Sequence, residues 1–311
     1  VTSTTPGVHS GAAHIVFVKN CKGKKFASSA KPSGIKLFSC METGSTNPLF
    51  HKSFMLEKSG LPLFDVVILF SAKIVYDEEE CRLKIWNTPA ISGIIQSDVV
   101  QQLHDYGMKV VTSVLGSDEA GVAHLTDAAC RTFAQEIANY CEAYDLDGVF
   151  FDDEYTHSWN HPGMTSPSTD RAARLCFETK MAMPDKMVTC YIYSRTYGFY
   201  KKIEGMEPGD FVDYAISDYG SWDYEDCYLG MERNQVAPCS ANFAYSYARW
   251  TATQNNLQRV RNEGFGGFMV YCLTFHVADV WNREMESLRN IAKYLYDDNL
   301  VFTGEKPETT W

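Results

Sequence analysis

The chain has 311 residues, 45% of them hydrophobic, with a formal net charge of −11 and an isoelectric point near 5.2. This supplies a sizeable core for one large domain or two small ones, and the acidic balance excludes nucleic acid and anionic membrane surfaces, which need a basic footprint. The longest apolar stretches, Leu61–Ala72 and Phe265–Phe275, are strand length and fall short of the roughly 18–20 residues of a membrane span.

Residues 1–33 are rich in Gly, Ser, Thr and Lys and are expected to form an irregular lead-in, with at most a short strand at His14–Val18. The opening Val1-Thr2-Ser3-Thr4-Thr5-Pro6-Gly7 has linker composition and not that of a signal peptide. A processed start of this kind fits a protein exported to the periplasm, the cell surface or the medium. Residues 34–311 are expected to form one domain. Short apolar runs recur at Ile35–Cys40, Phe64–Ser71, Lys109–Leu115, Gly148–Asp152, Met187–Tyr193, Phe211–Ile216, Gln235–Ser240 and Gly266–Cys272. Helical spacing marks Thr88–Tyr106, Thr126–Tyr144, Ser168–Ala182, Thr251–Glu263 and Ser287–Tyr296, with Thr126 and Asp127 available as caps.

Eight strands alternating with helices predict an α/β fold, a single-domain (β/α)8 TIM barrel. Two gaps depart from the pattern. The segment after the fifth strand is broken by Gly198, Gly205, Pro208 and Gly209, and the segment after the sixth is aromatic and acidic, Asp218-Tyr219-Gly220-Ser221-Trp222-Asp223-Tyr224. Neither has room for a full crossover helix, so the helices after strands five and six are expected to be short or missing. The ten cysteines form no C-x-x-C pair. Cys40, Cys190 and Cys272 fall in strand-like runs and Cys130, Cys141 and Cys176 on helical patterns, so they read mostly as free, buried thiols.

The fourth strand carries the chemistry. Leu146-Asp147-Gly148-Val149-Phe150-Phe151 is apolar on both faces apart from Asp147, and it runs into Asp152-Asp153-Glu154. Alternation places Phe150, Asp152 and Glu154 on one face and Phe151 and Asp153 on the other. Two carboxyls crowded at the end of a buried strand raise each other's pKa, which keeps one protonated for proton donation near neutral pH. An isolated acid cluster is about equally often a solvated loop start or a helix cap. The buried strand before this one, and its position at a C-terminal strand end, favour catalysis.

These residues resemble the family 18 glycoside hydrolases, whose fourth barrel strand bears D-G-x-D-x-D-x-E. The run Asp147-Gly148-Val149-Phe150-Phe151-Asp152-Asp153-Glu154 matches, with Phe150 where chitinases carry the first inner Asp. Within that family the chain is similar to the single-domain bacterial endo-β-N-acetylglucosaminidases of the endoglycosidase H and F type. The matching segments run from Leu37-Phe38-Ser39, Thr46-Asn47-Pro48-Leu49 and Asp65–Ala72 through Lys109–Gly116 and Met183–Lys186 to Val212–Ala215 and Tyr219–Trp222. The resemblance implies hydrolysis of the β-1,4 bond in the GlcNAc-GlcNAc core of N-linked glycans, high-mannose or hybrid. It implies substrate-assisted retention through an oxazolinium intermediate, an exception to the two-carboxylate schemes.

By the same resemblance Glu154 is the general acid, Asp152 orients and stabilises the substrate's 2-acetamido group, and Tyr219 bonds its carbonyl oxygen. Tyr271 aligns with the aromatic floor of the eighth strand, and Tyr193 and Gly116 are further substrate-binding candidates. Glu42 reads equally as a ligand of sugar hydroxyls or as a surface acid. Trp159 and Trp222 read equally as stacking platforms or plain packing, and Arg195 is a candidate glycan contact. Lys73 stands where the endoglycosidases usually carry Asn. The spacing of Glu154, His157 and His161 mimics a metal cluster, but loop composition does not support a regular ligand pair, so no metal or cofactor is expected. The expected partners are N-linked glycans and glycoproteins, bound by a monomer. The rivals are a chitinase-like hydrolase of linear GlcNAc polymers, an inactive glycan-binding barrel and a metal-dependent sugar isomerase.

Overall fold

The computed structural model describes residues 31–220, 222, 227–244, 251–273, 278–304 and 307. Most of the lead-in, including His14–Val18, therefore lies outside the described residues. Eight parallel positions close into a barrel in chain order: Lys36–Glu42, Val66–Phe70, Lys109–Leu115, Gly148–Asp152, Met187–Ile192, Tyr214–Ser217, a seventh in two pieces, and Gly267–Tyr271. The expected strand order holds throughout. The seventh strand is split because Pro238 has no N–H to give the ladder. Val236–Ala237 pairs with the sixth strand, and after Pro238 and Cys239 the chain steps across so that Ser240–Asn242 pairs with the eighth. This step closes the barrel.

Alternation along each strand sorts the core into two. Phe38, Cys40, Val66, Ile68, Val111, Phe150, Met187, Tyr191, Tyr214, Ile216, Ala237 and Met269 fill the barrel interior. The opposite faces, among them Leu37, Val67, Val110, Val149, Phe151, Val188 and Phe268, pack outward under helices and loops. Asp127–Ala143 and Thr169–Ala182 are the two long helices of the middle crossovers. The Thr126 and Ser168 hydroxyls accept the N–H groups of Ala129 and Arg171 at their starts.

Four elements differ from the expected pattern. The helix expected over 88–106 is two, Pro89–Gln96 and Val99–Asp105, because the Ser97 hydroxyl donates to the Ile94 carbonyl and ends the first. The crossover after strand one has no α-helix. It is a 3-10 turn, Pro48–Ser53, capped by Asn47, followed by Phe54–Leu56, which pairs antiparallel with Leu300–Phe302. A hairpin, Lys73–Asp77 with Arg82–Trp86, follows strand two. The last helix starts earlier than expected, at Ala278, and runs to Asn290 before a π turn over Ile291–Leu295. After strands five and six the described residues form only 3-10 turns, Ser194–Thr196 and Arg233–Gln235, and a single helical turn, Pro208–Phe211. Among the described residues no helix is long and apolar enough to cross a membrane.

The N-terminal rim is held by a repeated device. Asp65, Asp147 and Asp213 each immediately precede an even-numbered strand, and each carboxylate accepts a backbone N–H from the strand before it: Leu37, Val110 and Val188, at 2.7–2.8 Å. Each also takes a lysine, respectively Lys31, Lys109 and Lys180. At the eighth strand the position belongs to Gly266, where a Cβ would stand 1.7 Å from the Asn234 carbonyl oxygen. Lys180 is 2% exposed and bonds both Asp213 oxygens at 2.9–3.0 Å. Asp213→Ala should therefore leave a buried ammonium without its carboxylate counter-charge and destabilise the fold by about 3–5 kcal/mol. Urea unfolding checks this, and a midpoint unchanged from the parent would contradict it.

Candidate active site

The inward positions of the strands converge at the C-terminal mouth. Glu42, Phe70, Asp152, Tyr191 and Tyr271 all continue inner faces that begin with Phe38, Val66, Phe150, Met187 and Met269. Asp152 is 3% exposed and its Oδ1 has no hydrogen-bond partner among the described residues. Burial, the charges of Glu154, Asp153 and Asp218, and a hydrogen bond to Glu154 hold its pKa well above the ordinary carboxylate range. Burial raises the pKa of the Cys40 thiol below it, and ionisation of Asp152 would raise it further. Phe150, fully buried beneath Asp152, supplies apolar surroundings where a second carboxylate would have shared the charge.

Glu154 is half-buried, and burial also raises its pKa. Asp152 and the Tyr155 phenol both hydrogen-bond its carboxyl and oppose that rise. Tyr155 itself has φ +64°, and Ser194 and Cys272, at the ends of the fifth and eighth strands, have φ +46° and +57°. Three non-glycine residues in the left-handed region at one rim mark strain concentrated at a working site. Gly116 is buried behind the acid, where a Cβ would meet the Glu154 carbonyl oxygen at 2.2 Å. Its place is to let the loop after strand three approach the main chain of the acid, and not to line the mouth.

Three tyrosines meet over Asp152. Tyr219 has its ring 5.5 Å from Tyr271 and 6.1 Å from Tyr191. The Tyr191 hydroxyl donates to Asp218, which also accepts the Tyr219 N–H at 2.6 Å. Tyr271 stands edge-on to Phe70 and donates its hydroxyl to Glu42. Burial keeps all three phenols protonated far above neutral pH. Glu42 therefore fixes the ring on the eighth strand. Tyr191 and Asp218 were not singled out from the sequence, although the inner-face period of strand five would have placed Tyr191 at the mouth.

The remaining candidates divide. Tyr193 is 42% exposed and stacks on Tyr191 at 5.9 Å, beside Glu154. Asp153 points outward and accepts the Arg195 N–H at 3.1 Å, which ties the loop after strand five to strand four. Trp222 is not at the mouth. It packs on Phe265, which precedes the eighth strand, and takes the Arg259 guanidinium over its face at 4.1 Å. Lys73 opens the hairpin, opposite Leu115 and Trp86. His161 stacks on Tyr76 of that hairpin and pairs with Glu78 and Glu119, while His157 is exposed near Asp118, so neither joins Glu154 in a cluster. Among the described residues no group of His, Cys, Asp and Glu could hold a metal ion.

A buried and a half-buried carboxyl side by side under three phenols, at a barrel mouth, can donate a proton and stabilise positive charge at once. No family model matches the chain. It is 39% identical over 298 residues to endo-β-N-acetylglucosaminidase F1 of Elizabethkingia meningoseptica, covering 94% of this chain and 87% of that protein. The chain belongs to the endo-β-N-acetylglucosaminidases. A second relative in this family of glycoside hydrolases, from Flavobacterium sp., is 26% identical over 219 residues, covering 69% of this chain and 68% of its own. Among solved structures, EndoBT-3987 of Bacteroides thetaiotaomicron superposes with a TM-score of 0.80 at 31% identity in its complex with Man5GlcNAc product, over 93% of this chain and 67% of that one. The same enzyme with Man9GlcNAc2Asn substrate gives 0.80 at 30% identity, over 93% and 72%. A chitinase of Rhizomucor miehei, 14% identical with a TM-score of 0.53 over 84% of this chain and 98% of that one, shares the barrel fold.

Proposed function

We propose that this endo-β-N-acetylglucosaminidase cleaves the β-1,4 bond between the two core N-acetylglucosamines of high-mannose or hybrid Asn-linked glycans, by substrate-assisted retention. The observation that carries the reading is the unpartnered, buried Asp152 oxygen beside Glu154. A buried polar atom without a partner calls for one, and the N–H of a 2-acetamido group supplies it. In this mechanism Glu154 gives its proton to the glycosidic oxygen. The acetamide oxygen, held by the Tyr219 phenol, closes on the anomeric carbon as that bond breaks. Asp152, ionised once its proton has passed across the shared hydrogen bond to Glu154, accepts the acetamide N–H and balances the positive charge of the oxazolinium ring. Glu154, now a carboxylate, takes a proton from the water that opens the ring, and the anomeric configuration is retained. Tyr271, braced by Glu42, is the floor of the reacting sugar, and Tyr193 contacts substrate at the rim.

The glycans in the EndoBT-3987 complexes, Man5GlcNAc and Man9GlcNAc2Asn, support the high-mannose class. All the proposed catalytic groups come from one chain, so the site works in a monomer. Substrates of this class are displayed outside the cytoplasm, in keeping with an exported enzyme. The test is a pair of glycopeptides identical except that the sugar on the glycan side of the scissile bond carries either a 2-acetamido or a 2-hydroxyl group. Only the first should be cleaved, with product of retained configuration in the first seconds by NMR. Cleavage of the hydroxyl substrate at a comparable rate would rule out the acetamide as nucleophile.

A further inference from the structure

On the outer side of Glu154, away from the barrel mouth, lies a cavity of about 390 Å³. Its walls include His124, Asp153, Glu154, Trp159, Tyr193 and Arg195. Trp159 is 38% exposed and leans on the buried His124 ring at 5.4 Å, so its free face is held toward the cavity rim. Tyr193, braced on Tyr191, forms another aromatic wall. The Arg195 side chain is exposed and has no ion pair among the described residues, while its main chain is anchored on Asp153. Two supported aromatic rings and an unpaired guanidinium around one concavity suit a sugar ring followed by polar chain.

The direction of the substrate follows from pyranose chemistry. C1 and C4 stand at opposite ends of the ring. The reacting sugar lies over Asp152, Tyr219 and Tyr271 with C1 at Glu154, so its C4 and the mannose arms point away from Glu154, across the mouth. The leaving oxygen is the one Glu154 protonates, and what it carries must continue past Glu154 on the other side. We infer that the cavity bounded by Trp159, Tyr193 and Arg195 is the leaving-group site, which holds the Asn-linked N-acetylglucosamine and its flanking polypeptide. Trp159 stacks on that sugar and Arg195 donates to its hydroxyls or to peptide carbonyls. The inference rests on the catalytic reading above, because it uses Glu154 as the proton donor.

Two substrates that share one glycan test it. The first carries the glycan on a GlcNAc-Asn peptide. The second is the oxazoline of the same glycan, which has no leaving sugar and is opened by water alone. The readout is the ratio of kcat/KM on the peptide to kcat/KM on the oxazoline. Trp159→Ala should lower this ratio about tenfold, as expected for an anchoring aromatic. Arg195→Ala should lower it in the same direction, and its exposed side chain makes it a safe second variant. A ratio unchanged in both variants, even with both rates reduced, would assign the cavity to the glycan arms or to the fold and overturn the inference. If the parent enzyme opens neither substrate, the catalytic reading fails and this one with it.

Discussion

Glu154→Gln is expected to lower kcat on glycopeptides by about a thousandfold, within the 10²–10⁴ that a positioned general acid contributes, with KM nearly unchanged. The leaving group is a sugar alkoxide, a poor one unless it is protonated as the bond breaks. Burial raises the Glu154 pKa and so keeps the acid form available toward neutral pH. Glutamine preserves the shape and can still hydrogen-bond to Asp152, but it has no proton to give. Activity in the parent should therefore fall on the alkaline side as Glu154 ionises, and the variant should lack that limb. Oxazoline hydrolysis separates roles further, since no leaving group needs protonation there and the loss should be smaller. Single-turnover cleavage of a labelled glycopeptide measures the effect. Turnover within tenfold of the parent would remove Glu154 from the proposed role.

Much of this site was legible because a strand has period two and the barrel has one inner face. Phe150, Asp152 and Glu154 fall on a single face by arithmetic alone, and the structure puts the first two inside and the third at the rim. What the period cannot express is contact between elements. Tyr191 and Asp218 lie 27 positions apart and meet only because strands five and six are neighbours. Trp222 has the same local surroundings whether its loop turns toward the mouth or toward the outer helices, and Arg259 and Phe265, which decide it, come from the seventh crossover and the approach to strand eight. The hairpin at Lys73–Trp86 did leave a signal, with Ile74–Tyr76 set between Lys73 and Asp77, and Leu83 between Arg82 and Lys84. The first crossover was harder to read, since a proline-initiated 3-10 turn has too few residues to show a helical period.

Asp152→Asn should do two opposite things, lowering activity by about 10²–10³ while stabilising the fold. The activity loss has the size found when a preorganised charge-stabilising group is removed. Asparagine can still accept the acetamide N–H, but it carries no charge to balance the oxazolinium. The stability gain follows from linkage. An unfolded Asp has a pKa of about 3.9, and burial beside Glu154, Asp153 and Asp218 holds the folded value above it. Between those two values the unfolded chain has lost the proton that the folded one keeps, so raising the pH favours unfolding by about 1.4 kcal/mol per unit. Below the unfolded value both states are protonated and the group contributes no penalty. Asparagine has no such slope, so the advantage of the variant should be near zero at pH 3 and grow as the pH rises through the carboxylate range, levelling off only above the folded pKa. Urea midpoints of the two proteins across that range measure it directly. A variant less stable than the parent at neutral pH would mean that the Asp152 charge is compensated within the fold. An oxygen already satisfied by the fold would then have no need of a substrate N–H, and the placement of the acetamide over Asp152 would lose its physical basis.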